Sequence, residues 1–230
     1  MALHTPTEQT FPVPNHPVRT VIFDLGGVLS LSGRPVDLIR RFPDHDPDEV
    51  IKVMMGDYGS DSDHPWHRLE RGEISMDEYR TGIGQLVAAA GLRMRPPSEE
   101  DAAQRPGSTF EFVRSEAMHE LVVDLRAAGC RTGVLTNNIR EFRDRWRLLM
   151  NFDELFDTVV DSHEVGLRKP NPAIYELTLD RLGSQPHESA FLDDVQSNVD
   201  AAHRLGMHGV LVENDQSSAI TTVRRLTGLA

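Results

Sequence analysis

Five short runs of apolar residues divide the chain, and each has the length and composition of a β-strand that is buried on both faces. The runs lie at residues 18–23, 132–136, 158–160, 190–192 and 209–212. Between most of these runs, apolar residues recur at intervals of three and four, which indicates amphipathic helices. Alternation of buried strands with helices predicts an α/β fold, a doubly wound parallel sheet with right-handed crossovers.

Several of the predicted helices have clear end signals. In the helix predicted over 171–183, Asn171 is the N-cap, Pro172 occupies the first helical position and Gly183 follows the last turn. Two further helical patterns stop at a glycine in the same way, at Gly129 and at Gly206. The spacing of these signals supports the alternation that the apolar runs indicate.

The alternation is interrupted between residues 31 and 107, where helical patterns dominate. Ser75 and Glu78 have the spacing of a capping box at the start of a helix whose apolar positions are Ile83, Leu86, Val87 and Ala90. Residues 93–110 are rich in proline and charge and are typical of a connector. We predict a helical cap domain over 31–107, a core domain over 18–30 and 108–230, and a disordered leader over 1–17. The cap follows the first strand at the sheet edge where such folds bind ligands, as a lid would.

Composition narrows the function classes. The 230 residues carry a net charge of −12, which argues against nucleic-acid or anionic-membrane binding, because phosphate contacts need basic clusters. No stretch approaches the length of a membrane span, and nothing indicates an oligomeric state. The single cysteine, Cys130, excludes an intrachain disulfide and favours a cytoplasmic location. We interpret Cys130 as a small buried residue at the start of a strand rather than a reactive thiol.

Polar residues of particular types follow four successive strands of the predicted sheet. They are Asp24, Thr136, Asn137, Lys169, Asp193 and Asp194. Each of them alone is typical of a turn, a helix cap or a solvated side chain. Because the carboxyl ends of parallel strands lie along one edge, we expect these side chains to converge.

The set contains the groups that phosphoryl transfer requires. The Asp24 carboxylate can attack phosphorus and form an aspartyl-phosphate. Lys169 would balance the charge of Asp24 and of the phosphoryl oxygens, and the Thr136 hydroxyl and the Asn137 backbone or amide would donate hydrogen bonds to those oxygens. Asp24 and Asp194 would supply the carboxylate oxygens that Mg²⁺ prefers.

The segments FDLGGVL, VLTNN, RKPNPAIY and FLDDVQSNV resemble, in this order, the four motifs of the haloacid dehalogenase (HAD) superfamily, whose core is Rossmann-like. The later part of the chain and the segment PWHRLERGEIS are similar to a narrower group. This group contains the N-terminal phosphatase domain of soluble epoxide hydrolase, the N-terminal domain of acyl-CoA dehydrogenase family 10, and bacterial glucose-1-phosphate phosphatases. The resemblance implies that Asp24 is the nucleophile, that Thr136 binds phosphate, and that Lys169 orients the nucleophile and the phosphoryl group.

The resemblance also implies a metal site, with one departure from the pattern. Asp24 and Asp194 would bind Mg²⁺, with Asp193 and Asn198 in or behind its coordination shell. Phosphatases of this superfamily carry a second aspartate two residues after the nucleophile, as the acid that protonates the leaving oxygen. Here that position is Gly26, whose backbone carbonyl can still coordinate Mg²⁺ but which cannot transfer a proton. General acid–base catalysis is worth roughly 10²–10⁴-fold in rate, so we expect slow turnover, a good leaving group or a substitute acid.

The predicted cap offers several side chains as that substitute, although a solvated acidic loop explains most of them equally well. These side chains are His45, His64, His67, Asp57, Asp61 and Asp63. Trp66 and Tyr79 either line a substrate pocket or pack between helices. The histidines, including His163 and His203, have no ligand spacing with one another or with Cys130, which argues against zinc.

We therefore expect an Mg²⁺-dependent phosphatase that acts on a small phosphorylated metabolite such as a sugar phosphate. One alternative is metal-independent dehalogenation of a 2-haloacid by Asp24, against which the retained pair of Asp193 and Asp194 argues. Phosphoglucomutase chemistry needs an acid after the nucleophile, so Gly26 argues against it. A catalytically weakened phosphate-binding module is the non-enzymatic alternative.

Overall fold

The computed structural model describes residues 17–32, 39–95 and 112–229, which form a five-stranded parallel sheet flanked by helices. The strands are β1 (Thr20–Phe23), β2 (Arg131–Thr136), β3 (Thr158–Asp161), β4 (Ser189–Asp193) and β5 (His208–Leu211). Their order across the sheet is β3–β2–β1–β4–β5. The predicted α/β class and all five predicted strands are confirmed, with strand ends that shift by one or two residues.

The described helices connect these strands and fill the long interval after β1. They are α1 (Pro47–Met55), α2 (Pro65–Glu70), α3 (Met76–Ala89), α4 (Glu116–Ala127), α5 (Arg143–Trp146), α6 (Phe152–Leu155), α7 (Ser162–Val165), α8 (Pro172–Leu182), α9 (Gln196–Arg204) and α10 (Ser217–Thr227). Short 3₁₀ turns lie at Arg140–Phe142 and Pro186–Glu188. The predicted caps of α8 are confirmed, because the Asn171 side chain accepts a hydrogen bond from the Ala173 N–H and Gly183 adopts a left-handed conformation.

Both faces of the sheet are covered, which explains why its strands are apolar throughout. Val21 and Phe23 point to one face and pack with residues of α4 and α10, including Leu121. Ile22 points to the other face and packs with residues of α8 and α9, including Ile174. The alternation follows from the two-residue period of a strand, and it makes β1 the centre of the core.

The helices α1, α2 and α3 form a hydrophobic cluster of their own. We call the described residues 39–95 the insert; its cluster includes Val50, Leu69, Tyr79 and Ile83. The capping box of Ser75 and Glu78 at the start of α3 is present with both of its hydrogen bonds. The cap and core boundaries remain a prediction, because residues 1–16, 33–38 and 96–111 lie outside the described part of the chain.

Two expectations from composition concern features away from the sheet edge. Cys130 is buried directly before β2, and this burial raises the pKa of its thiol, as expected for a packing residue. Within the ranges that the structure describes, no helix has both the length and the apolar character needed to cross a bilayer.

Candidate functional site

The polar residues predicted from the strand ends converge at one edge of the sheet. The Asp24 N–H donates to the Leu192 carbonyl at 2.9 Å, which extends the pairing of β1 with β4 by one residue. A cavity of about 470 Å³ lies above this edge. Its core side is lined by Asp24, Gly26, Thr136, Asn137, Lys169, Asp194 and Asn198. Asp193, the last residue of β4, lies immediately beneath and is fully buried.

A buried cation lies between two of the carboxylates. Lys169 Nζ is 2.8 Å from Asp24 Oδ1 and 2.6 Å from Asp193 Oδ2, and its side chain is 1% exposed. Burial alone would lower the pKa of this ammonium group, but the charges of Asp193 and Asp24 outweigh it, so the pKa of Lys169 is raised. Lys169 is therefore a fixed positive charge beside the predicted nucleophile.

The Asp24 carboxyl lies in an environment that disfavours its charge. Burial raises the pKa of Asp24 to about 7, the charges of Asp193 and Asp194 add to the rise, and Lys169 opposes it. A nucleophilic aspartate must be ionised. A cation held between these carboxylates would favour the ionised form of Asp24, because it reverses the local balance of charge.

Three carboxylates of the site fit a hard metal ion. Ligand oxygens of Asp24, Asp193 and Asp194 all lie within 4.8 Å of one another, and no other such group of His, Cys, Asp and Glu occurs among the described residues. Asn198 Oδ1, at the same edge, is buried without a hydrogen-bond partner in the described structure. A set of oxygen donors with an unsatisfied amide oxygen suits Mg²⁺ and the water that it retains, whereas zinc prefers nitrogen and sulfur.

The contacts of Asp193 distinguish it from Asp24 and Asp194. Its Oδ2 accepts from Lys169, and its Oδ1 accepts from the Val195 N–H at 2.8 Å. The amide of Asn198 donates to both oxygens at 3.1 Å. These contacts occupy both oxygens, so Asp193 is better suited to holding Lys169 and Asn198 than to binding a metal directly.

Asn137 has a role that the sequence did not indicate. Its Nδ2 donates to the Lys169 carbonyl at 3.0 Å, and its Oδ1 accepts from the Lys169 N–H at 2.8 Å. The side-chain amide therefore holds the backbone of Lys169. Asn137 also lines the cavity, and its contact with a phosphate oxygen stays a prediction. Thr136, 2% exposed at the end of β2, lines the cavity.

The two glycines after the nucleophile differ in what they require. Gly27 has φ +71°, and a Cβ there would lie 2.5 Å from Asp194 Cγ, so a side chain at this position would force the Asp194 carboxyl group to move. Gly26 has no positive φ, and the nearest atom to a Cβ there is the Ser32 carbonyl oxygen at 4.0 Å. Steric constraints therefore explain Gly27, but they do not explain the missing acid at Gly26.

The insert closes the cavity with residues other than the predicted ones. Its lining side chains are Ile51, Met55, Tyr58 and Glu70, and none of the six predicted substitute acids is among them. His67 is fully buried and accepts from Ser62, while Asp57 caps a turn at Gly59. The remaining four are His45, His64, Asp61 and Asp63, and all lie elsewhere in the insert. The packing interpretation of Trp66 and Tyr79 is confirmed by an edge-to-face contact at 5.5 Å.

Glu70 is an acidic residue of the cavity wall that sequence reasoning missed. It ends α2, is 2% exposed, and accepts a hydrogen bond from Arg168 Nε at 2.8 Å on its Oε2. Arg168 is fully buried, and its Nη1 also donates to the Ser60 carbonyl at 2.6 Å. Burial raises the pKa of Glu70 although Arg168 opposes this. The sequence signals were a glutamate beside the apolar Leu69 in α2 and an arginine directly before Lys169.

The parallel sheet, the acidic strand ends and the buried lysine define a Rossmann-like α/β hydrolase. Residues 18–206 match the model of the haloacid dehalogenase-like hydrolases. The chain belongs to this family, and the resemblance drawn from its motifs is confirmed.

Known relatives differ in how much of their length the chain represents. Acyl-CoA dehydrogenase family member 10 of Mus musculus is 34% identical over 92% of this chain, which spans only 19% of that protein. The sesquiterpene phosphatase astK of Aspergillus oryzae is 29% identical over 91% of this chain and 97% of its own length. Among solved structures, a HAD-like family hydrolase from Porphyromonas gingivalis is 28% identical with a TM-score of 0.62, covering 91% of this chain and 99% of the other.

Proposed function

We propose that the protein is an Mg²⁺-dependent phosphatase that hydrolyses a small phosphorylated metabolite, for example a sugar phosphate, through an aspartyl-phosphate at Asp24. The observation that carries this proposal is the arrangement of Asp24, with Lys169 2.8 Å away and with Asp193 and Asp194 beside it, at the base of one cavity. The similarity to astK, a phosphatase that aligns over nearly its full length, supports the same reaction class.

Each site residue has a part in this reaction. A carboxylate oxygen of Asp24 attacks phosphorus, and the bond from phosphorus to the ester oxygen breaks. Lys169 and the Thr136 hydroxyl hold the oxygens of the phosphoryl group during the transfer. Water then attacks phosphorus, which releases phosphate and restores the Asp24 carboxylate. Asn137 and Asp193 keep Lys169 in position through the contacts described above.

The metal would be held by Asp24, Asp194 and the carbonyl of Gly26, with Asn198 and Asp193 behind them. When bound, Mg²⁺ neutralises charge on the phosphoryl group and on the carboxylates around it. This role matches the raised pKa of Asp24, since protein groups alone leave that carboxyl only partly ionised near neutral pH. The cofactor is thus proposed on the donor chemistry of the site.

The cavity limits the size of the substrate. Its volume of about 470 Å³ is at the lower end of small-molecule sites, and Ile51 and Met55 make its insert side partly apolar. A substrate of metabolite size fits these dimensions. We also infer a cytoplasmic location from the single buried cysteine.

A panel of phosphate esters tests the proposal. Purified protein with Mg²⁺ should release phosphate from a generic aryl phosphate and from at least one sugar phosphate, and a chelator should abolish the release. Asp24→Asn should reduce the release to the rate without enzyme, because an amide does not attack phosphorus. Asp144→Asn is the matched control, since its carboxylate is 96% exposed on α5.

The same panel separates the alternatives. If the wild-type protein with Mg²⁺ hydrolyses no ester, the phosphatase proposal is wrong. Release of halide from a 2-haloacid without metal would identify a dehalogenase instead. Binding of beryllofluoride, a phosphoryl mimic, without any turnover would identify a phosphate-binding module.

A further inference from the structure

The missing acid at Gly26 has a candidate replacement in the insert. We propose that Glu70 is the acid–base residue of this site, donating a proton to the leaving oxygen and taking one from the attacking water. This inference rests on the proposed phosphatase function and assigns a catalytic residue to it.

Position singles out Glu70 among the described residues of the insert. The cavity that contains Asp24 and Gly26 is lined from the insert side by two apolar side chains and by Tyr58 and Glu70. Burial, followed by the charge of Glu70, raises the pKa of the Tyr58 phenol well above its usual value. A phenol that holds its proton so strongly donates hydrogen bonds but transfers protons poorly. Glu70 is therefore the better acid–base group.

The partners of Glu70 fix its carboxyl group. Arg168 donates to Oε2 only, and the same guanidinium is held by the Ser60 carbonyl. Because Arg168 directly precedes Lys169, the carboxyl is tied to the short loop that also positions the cation at Asp24. The Glu70 carboxyl group is therefore held in one orientation at the wall of the cavity that contains Asp24, and a general acid must be positioned in this way.

The single carboxyl group of Glu70 can serve both proton transfers of the reaction. In the first step Asp24 attacks phosphorus, the ester bond breaks, and the leaving alkoxide takes the proton of the Glu70 carboxylic acid. In the second step water attacks phosphorus, its proton passes to the Glu70 carboxylate, and the bond from phosphorus to Asp24 breaks. Phosphate leaves, and Glu70 is again protonated.

Opposing influences act on the pKa of the Glu70 carboxyl group. Burial is the main cause of its raised pKa, while the cations Arg168 and Lys169 act in the opposite direction. Tyr58 and Trp66 are its other close neighbours. An acid–base residue needs a pKa near the working pH, and for Glu70 burial acts in that direction while the two cations oppose it.

Leaving-group dependence is the test, with Glu70→Gln as the near-isosteric variant. An alkyl phosphate needs a proton on its leaving oxygen, whereas p-nitrophenol leaves readily as its anion. We expect kcat/KM for the alkyl ester to fall on the order of 10²-fold or more, and for p-nitrophenyl phosphate to fall less than about tenfold. Glu73→Gln, on an exposed carboxylate after the same helix, should change neither.

Two further measurements separate catalysis from structure. The activity of the wild-type protein on the alkyl ester should fall as the pH rises through the pKa of Glu70, and Glu70→Gln should lose this limb. Adding Gly26→Asp to Glu70→Gln should restore much of the alkyl activity, because the space at Gly26 admits a side chain. Thermal unfolding of each variant verifies that it is folded.

The outcomes distinguish this inference from the proposed function. If Glu70→Gln lowers kcat/KM for both esters by the same factor, Glu70 has a structural role and the inference is wrong. It is also wrong if Glu70→Gln behaves as the wild type, or if Tyr58→Phe instead produces the selective loss. In these three cases the phosphatase function stands, because the wild type is active. A wild type that hydrolyses no ester overturns both.

Discussion

Replacing Gly27 by alanine should damage the site more than it damages the fold. Gly27 has φ +71°, a conformation that costs an L-residue about 1–2 kcal/mol. The added Cβ would lie 2.5 Å from Asp194 Cγ. Because carbon atoms in contact keep a separation of roughly 3.5–4.0 Å, the Asp194 carboxyl must move by about 1 Å.

The magnitude of the functional loss follows from that displacement. A misplacement of about 1 Å in a catalytic constellation costs on the order of 10²-fold in rate. We therefore expect Gly27→Ala to lower kcat/KM on p-nitrophenyl phosphate about 10²-fold and to weaken Mg²⁺ binding. The free energy of unfolding should fall by only about 1–2 kcal/mol, the backbone penalty alone.

Gly129→Ala is the matched control. Gly129 follows α4 and has φ +79°, and a Cβ added there would have no other atom within 4 Å. The free energy of unfolding of this variant should fall by the same backbone penalty of about 1–2 kcal/mol, and its activity should equal that of the wild type. Urea unfolding gives the stabilities, and titration calorimetry gives the Mg²⁺ affinity.

The comparison of the two alanine variants can refute this reasoning. If Gly27→Ala binds Mg²⁺ and turns over as well as Gly129→Ala does, Asp194 does not need its observed position. The assignment of Asp194 to the metal site would then be wrong. Equal losses of activity in both variants would point to a general loss of folding instead.

Two predictions concern stability away from the nucleophile. Gly84→Ala, inside α3 with open space around it, should raise the free energy of unfolding by about 0.5–1 kcal/mol in urea, and a loss would contradict the helical geometry there. His67 is buried, and this burial is the main reason that its pKa is lowered from 6.5 to about 4. The positive charge of Arg168 lowers the pKa further. The neutral ring therefore contributes fully above pH 6.5, and stability is lost as the pH falls toward 4, by up to about 3 kcal/mol. Urea unfolding across this range should show a smaller loss in His67→Asn, and parallel curves for both proteins would contradict it.

The strand-end residues could be predicted from the sequence because their convergence depends only on topology. A parallel sheet brings the residues after successive strands to one edge, whatever the details of their side chains. Asp24, Thr136 and Asp193 needed only correct strand ends to be placed together, and apolar runs locate such ends well. Lys169 follows the same rule through the loop after β3.

Contacts between the insert and the core could not be predicted in this way. The partner of Glu70, Arg168, lies 98 residues away along the chain. A local sequence pattern does not determine how three helices pack over a sheet. Acidic residues in the loops of the insert were therefore equally plausible as proton donors. The apolar pattern of α3 also overestimated burial, since Leu86 is 38% exposed while Tyr79 is buried.

The adjacent residues Arg168 and Lys169 couple the insert to the core at this site. Lys169 holds Asp24 of the core, and Arg168 holds Glu70 and the Ser60 carbonyl of the insert. These two adjacent residues thus set the positions of the proposed nucleophile and of the proposed proton donor together. A proton donor at position 26 would lie on the same loop as Asp24, and its position would not depend on the insert. With the donor on α2, proton transfer requires the insert to be closed on the core, so substrate fit and chemistry are linked.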